Sequence, residues 1–167
     1  MRRIIIKNQE HLPVIGVGPI IVNPILVLTI AGIILSAFGY FDIGKIAVLK
    51  IPFLVIGIMV IGFGLYLWFC ANYKEKVFDC ITENKLVTTG VYSIVRNPIY
   101  SAFLLVCIGA ILIADNLVLF IIPIIGWIYM TLMLKNTEEK WLLNLYGQEY
   151  ADYCKRVNRC LPWFPRK

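Results

Sequence analysis

Between Leu12 and Phe41 no side chain carries a formal charge. Two further stretches are as apolar: Ile51–Ala71, and Pro98–Leu134 with Asp115 as its single charged residue. A helix needs roughly 20 apolar residues to cross a hydrocarbon layer of about 30 Å. Lipid admits only elements that satisfy their own backbone hydrogen bonds. These runs therefore predict an all-α, polytopic membrane helix bundle with about four transmembrane helices. The breaks place the helices near 20–41, 51–71, 98–114 and 117–134, with turns at Asp42–Lys50 and Asp115-Asn116. The basic start Arg2, Arg3, Lys7 resembles a signal-peptide n-region, but the run after it is too long for an h-region and no AxA-like site closes it. With 60% hydrophobic and 16% charged residues among 167, and a mean hydropathy of +0.80, the chain is far from a soluble domain. Residues 1–167 read as one domain.

Charge sets the expected orientation. All but Lys45 and Lys50 of the 16 basic residues fall in the N-terminal stretch, the central connection or the C-terminal stretch. Four spans put those three segments on one side, and the positive-inside rule makes that side, with both termini, cytosolic. The net charge of +6 then reports topology and contact with anionic membrane lipids, not nucleic acid. Five cysteines show no CxxC spacing, and His11 is the single histidine, so no metal site is expected.

Inside the second span, Gly57, Gly62 and Gly64 suit close helix packing. Pro123 predicts a kink in the fourth. Past Leu134 the chain turns amphipathic. The fourth helix should continue through Glu138, Glu139, Trp141 and Leu142 until Gly147 breaks it. Gln148–Asn158 reads as a further short helix with Tyr150 and Tyr153 on one face. Leu161-Pro-Trp-Phe-Pro suits the headgroup level.

The longest run mixing polar, aromatic and basic side chains is Asn84–Tyr100, NKLVTTGVYSIVRNPIY. Thr88-Thr89-Gly90 reads as a turn. Asn97-Pro98 reads as a helix start, with Asn97 as a side-chain cap and Pro98 in the first turn. The deduced topology brings this run and the Glu138–Tyr153 region to the same membrane face, at the two ends of one helical hairpin. Taken alone, each half also fits a plain solvated loop or helix face with Arg96 snorkelling.

LVTTGVYSIVRNPIYSAFLL, followed some forty residues later by TEEKWLLNLYGQEYADYCKRV, resembles the isoprenylcysteine carboxyl methyltransferase family. These are integral membrane, S-adenosylmethionine-dependent enzymes related to phospholipid methyltransferases. The resemblance covers roughly 85–162. It implies S-adenosylmethionine as cofactor, with Leu86, Val87, Tyr92, Arg96, Asn97, Pro98, Tyr100 and Glu138 as its binding residues. Asn97 stands where the family has His. Leu134 stands where the family has a substrate-binding Arg, with Lys135 beside it as a candidate substrate contact. The acceptor implied is a lipid-like or prenyl-like amphiphile, either an isoprenylcysteine carboxylate or a lipid.

Methyl transfer from a sulfonium needs positioning and water exclusion more than acid-base groups. The absence of a histidine dyad or nucleophilic motif therefore fits such an enzyme. A membrane NADPH-dependent reductase of the sterol reductase type and a non-enzymatic membrane protein are the alternatives. The short chain and the few basic residues near the loop disfavour the first. The absence of charge deep in the spans disfavours the second.

Overall fold

The computed structural model describes residues 16–164. Arg2, Arg3, Lys7 and His11, and at the other end Arg166 and Lys167, lie outside the described residues. The described chain runs through α1 (Gly18–Ala37), α2 (Lys50–Phe69), α3 (Val77–Thr82), α4 (Pro98–Ile113), α5 (Ile121–Asn136), α6 (Glu138–Tyr146) and α7 (Gln148–Arg156). No strand forms among the described residues; Val95 and Asn158 make an isolated parallel bridge.

Three apolar stretches, Gly18–Ala37, Lys50–Lys74 and Leu117–Tyr146, are long enough to cross a membrane. The fourth, α4, has 16 residues, about 24 Å at the helical rise. Side chains such as Ile30, Ile58, Ile124 and Ile128 stay exposed along them, as a lipid-facing surface requires. The expected polytopic helix bundle is borne out, and the protein is an integral membrane protein.

Without a hydrophobic drive between helices in lipid, close backbone approach decides which helices pair. A Cβ on Gly57 would stand 2.7 Å from the Gly109 carbonyl oxygen, and one on Gly64 would stand 3.0 Å from that of Ala102. α2 and α4 therefore touch through their backbones. Gly62 faces open space, so the packing role expected of three glycines falls to two, together with Gly109. On its other side α4 meets α1 and α5 in a core of Ile21, Leu104, Met130, Leu134 and Cys160. Cys107 of α4 is buried as well.

Several local expectations are corrected. α1 ends at Ala37 and not Phe41, because Gly39 (φ 89°) and Phe41 (φ 68°) turn the chain left-handed. Pro24 lies inside α1, and the Ile20 carbonyl that its missing N–H frees accepts instead from the Tyr129 hydroxyl at 3.0 Å. Pro123 does not kink its helix. It is the third residue of α5, where its N–H has no helical partner to lose, after a 3₁₀ turn at Leu117–Phe120. The direction changes at Thr137 (φ −124°, ψ −89°), between α5 and α6. The central connection between α2 and α4 opens with a π-helical turn at Cys70–Lys74 and then forms α3.

The far end is fastened by Asn116. Its buried amide donates to Ser36 Oγ at 2.8 Å and to the Phe41 carbonyl at 3.1 Å, and its Oδ1 accepts from the Val118 N–H. The start of α4, the end of α5, α6, α7 and the residues after α7 gather at the opposite end.

A cavity at the membrane-end of the helical hairpin

The loop before α4 takes its shape from Gly90. Its φ of +55° lies in the region that favours glycine, and a Cβ there would collide with the Glu75 carboxylate. Thr89 Oγ1 donates to the same carboxylate at 3.3 Å. A 3₁₀ turn over Gly90–Ser93 then buries Val91 and Tyr92. Pro98 opens α4 as the sequence suggests, but Asn97 does not cap it with its side chain. The Asn97 amide nitrogen donates to the Arg159 carbonyl at 3.0 Å, because that carbonyl is presented by the chain after α7. The first turn is secured by Ser101, whose N–H and hydroxyl both donate to the Asn97 carbonyl.

Across the hairpin, the turn at Thr137 aims Glu138 inward. Its Oε1 accepts from the Tyr100 hydroxyl at 2.5 Å and from the Val17 N–H at 3.3 Å. Three segments distant in sequence thus meet at one carboxylate oxygen: the start of α1, the first turn of α4 and the first turn of α6.

Glu139 points the other way and is the centre of an ion cluster. Arg159 clasps it bidentately, Nε to Oε1 at 2.6 Å and Nη2 to Oε2 at 2.9 Å, and Arg96 Nη1 approaches Oε1 at 3.2 Å. The side chains of Arg96 and Glu139 are 8% and 12% exposed, so Arg96 does not snorkel and Glu139 is not a solvated face. Hydrogen bonding to Glu139 holds the Arg159 guanidinium above its ordinary pKa. Arg96 also touches the Cys154 thiol. Its Nε is buried and has no hydrogen-bond partner.

The chain after α7 straps this arrangement down. The Arg96 N–H donates to the Asn158 carbonyl at 2.8 Å, the Asn97 N–H to that of Arg159 at 3.1 Å, and the Ser101 hydroxyl to that of Cys160 at 2.6 Å. On α7, Tyr150 and Tyr153 face inward together, and the Tyr153 hydroxyl donates to the Tyr92 carbonyl at 2.5 Å. Burial pushes the hydroxyls of Tyr92, Tyr150 and Tyr153 well above their usual range, so all three stay neutral at any physiological pH. Burial likewise pushes the Cys160 thiol up to about 12, which leaves it unreactive.

Between these parts lies a cavity of about 420 Å³. Leu86, Val87, Tyr92, Arg96, Asn97, Pro98, Tyr100 and Glu138, the eight residues singled out in the sequence, all line it. Lys135 does not. It is exposed at the end of α5, outside the cavity wall. Leu134 is 0% exposed in the core with Ile21 and Met130, so neither residue lines the cavity. The motifs do not reach the α1 wall, made by Gly18, Pro19, Val22 and Asn23, or the contributions of Val77 and Phe78. No spacing in the sequence links α1 to the hairpin.

The fold and cavity define a helical membrane protein with a cavity at one end of its bundle. Residues 52–149, more than half of the chain, match the phospholipid methyltransferase family model, and the chain belongs to that family. It is 31% identical over 82 residues to protein-S-isoprenylcysteine O-methyltransferase B of Arabidopsis thaliana, covering 48% of this chain and 41% of that one. It is 32% identical over 82 residues to methanethiol S-methyltransferase 1 of Bradyrhizobium diazoefficiens, covering 49% and 28%. To the phosphatidylethanolamine N-methyltransferase of Zygosaccharomyces rouxii it is 29% identical over 96 residues, covering 58% and 11%. The resemblance read from the two motifs is thereby borne out. The chain spans less than half the length of each of these relatives. No solved structure gives a significant match.

Proposed function

We propose that the protein is an S-adenosylmethionine-dependent methyltransferase that modifies an amphiphilic acceptor at the cytosolic face of the membrane. The observation that carries this reading is the convergence of both family motifs on one cavity that holds a carboxylate and a guanidinium. An amino-acid moiety offers an ammonium and a carboxylate. Glu138, held by Tyr100, suits the first, and Arg96, with a buried Nε left over after its bond to Glu139, suits the second. Leu86, Val87, Pro98 and Trp141 supply apolar wall for a flat base, and Tyr92, Tyr100 and Trp141 supply π faces that favour a cation. The volume lies within the range of small-ligand sites.

When bound, S-adenosylmethionine would supply a methyl group on a positively charged sulfur, open to displacement by an acceptor lone pair. The residues of this chain do the rest by placement. The hydrogen-bonded Glu138 and Arg96 together hold the amino-acid end of the ligand, by its ammonium and its carboxylate, and the apolar walls exclude competing water. A carboxylate acceptor needs no base, whereas an amine acceptor must first shed a proton. The relatives named above act on an isoprenylcysteine, a thiol and an amine-headed lipid. Acceptor chemistry therefore varies within this family, and an amphiphile best matches a site walled by membrane helix ends.

Calorimetric titration of the purified protein with S-adenosylmethionine and with NADPH tests the cofactor. Transfer of labelled methyl groups to farnesylcysteine, amine-headed lipids and soluble thiols tests the acceptor. Binding of S-adenosylmethionine alone, with turnover of an amphiphile, is expected. Saturable NADPH binding without S-adenosylmethionine binding would overturn the reading.

The cytosolic placement rests on the basic residues that cluster at the cavity end, Arg96, Arg156 and Arg159 among them. Reporters fused after Phe164 and within Asp42–Lys50 are expected on opposite sides of the membrane. The same side for both would reject this topology.

A further inference from the structure

The α1 wall of the cavity lies outside the matched family region of 52–149. Gly18, Pro19, Val22 and Asn23 recur at a spacing that puts them on one helical face. At the start of that face, a Cβ on Gly18 would stand 3.5 Å from the Tyr100 hydroxyl, so this end meets the Glu138–Tyr100 pair. Asn23 follows five residues later, roughly 7.5 Å further along the helix. On α4 the step from Pro98 to Phe103 has the same length, and both residues line the cavity. The cavity thus runs from a polar end at Glu138 to an apolar end between Val22 and Phe103, where α1 adds one amide.

That amide has no structural duty. The Asn23 side chain makes no hydrogen bond among the described residues, and it is exposed although it sits in an apolar helix. The carbonyl that Pro24 leaves open one turn earlier is already satisfied by Tyr129. A polar side chain kept unpaired on a membrane helix costs free energy that a bound partner can offset.

We propose that Asn23 is a specificity-determining contact for the acceptor. It pairs with an ester or amide carbonyl of the acceptor, roughly 7.5 Å along α1 from the Glu138–Tyr100 end of the cavity, where the polar head gives way to the apolar chain. The Nδ2 amide supplies the donor that an ester carbonyl needs. An ether-linked or prenyl chain offers no comparable acceptor at that point. The inference rests on the methyltransferase reading only in taking this cavity as the acceptor's site.

The test compares tritiated ethanolamine phospholipids that differ only in ester- or ether-linked chains, in wild type and Asn23→Leu. Equilibrium binding to the detergent-solubilised protein is the first readout, and methyl transfer is the second. Wild type should bind the ester form about tenfold more tightly, the scale of one buried hydrogen bond. Asn23→Leu should lose that preference, keep its affinity for the ether form and keep its affinity for S-adenosylmethionine. No preference in wild type, no binding of either lipid, or a preference that survives in Asn23→Leu would each overturn the proposal. An Asn23-dependent binding preference without methyl transfer would uphold the contact and count against the proposed reaction instead.

Discussion

Replacing Glu138 with alanine is expected to weaken S-adenosylmethionine binding by roughly ten- to a hundredfold, the scale of one lost charge-assisted hydrogen bond. The change also frees two donors, the Tyr100 hydroxyl and the Val17 N–H, so part of the loss would come from a loosened junction of α1, α4 and α6. Glu138→Gln separates the two effects. The amide oxygen can still accept from Tyr100 and Val17, while the negative charge is gone. If Glu138 holds an ammonium, Glu138→Gln should unfold at a temperature close to wild type and still bind S-adenosylmethionine at least tenfold more weakly in calorimetry. Wild-type affinity in both variants would remove Glu138 from the site.

Glu139→Ala should be the most destabilising single change at this end of the molecule. It leaves the Arg96 and Arg159 guanidiniums facing one another, 8% and 25% exposed, with no counter-charge between them. Breaking a buried ion cluster in this way costs on the order of 3–5 kcal/mol. Arg159→Ala is the informative comparison. It removes the excess positive charge and leaves Glu139 paired with Arg96, so its cost should be clearly smaller. Thermal unfolding in detergent measures both. Equal losses in the two variants would mean that the cluster is not held by charge.

Much of this architecture could be read along the chain, and the reasons are local. Uncharged runs declare the spans because lipid leaves no other fate for them. Pro98 marks a helix start because its missing N–H is harmless there. The eight cavity residues came out of two motifs that the topology brings to one face. What could not be read depends on partners remote in sequence. Asn97 looks like a side-chain cap by every nearby signal, yet its amide goes to a carbonyl 62 positions away. Gly62 is as small as Gly57 and Gly64, but which glycines face α4 is set by rotation about the helix axis. Leu134 and Lys135 lie side by side in sequence. The helical turn between them sends one into the core and the other to the surface, and neither into the cavity. Glu139 finds its bidentate partner 20 positions on, after a helix and a strap that no short-range rule connects to it.

The strap has a consequence for how the molecule comes into being. Val17 bonds to Glu138, and Asn158–Cys160 bond to Arg96, Asn97 and Ser101, so residues around the cavity are held from both ends of the described chain. During synthesis α1 to α5 are complete before Cys160 leaves the ribosome. These helices can therefore sit in the bilayer while Arg96 and Asn97 still lack their backbone partners. Fastening of the cavity wall is a late event in biogenesis, separate from the insertion of α1 to α5, and a chain clipped before Asn158 would keep those anchoring helices and lose the strap that holds the start of α4.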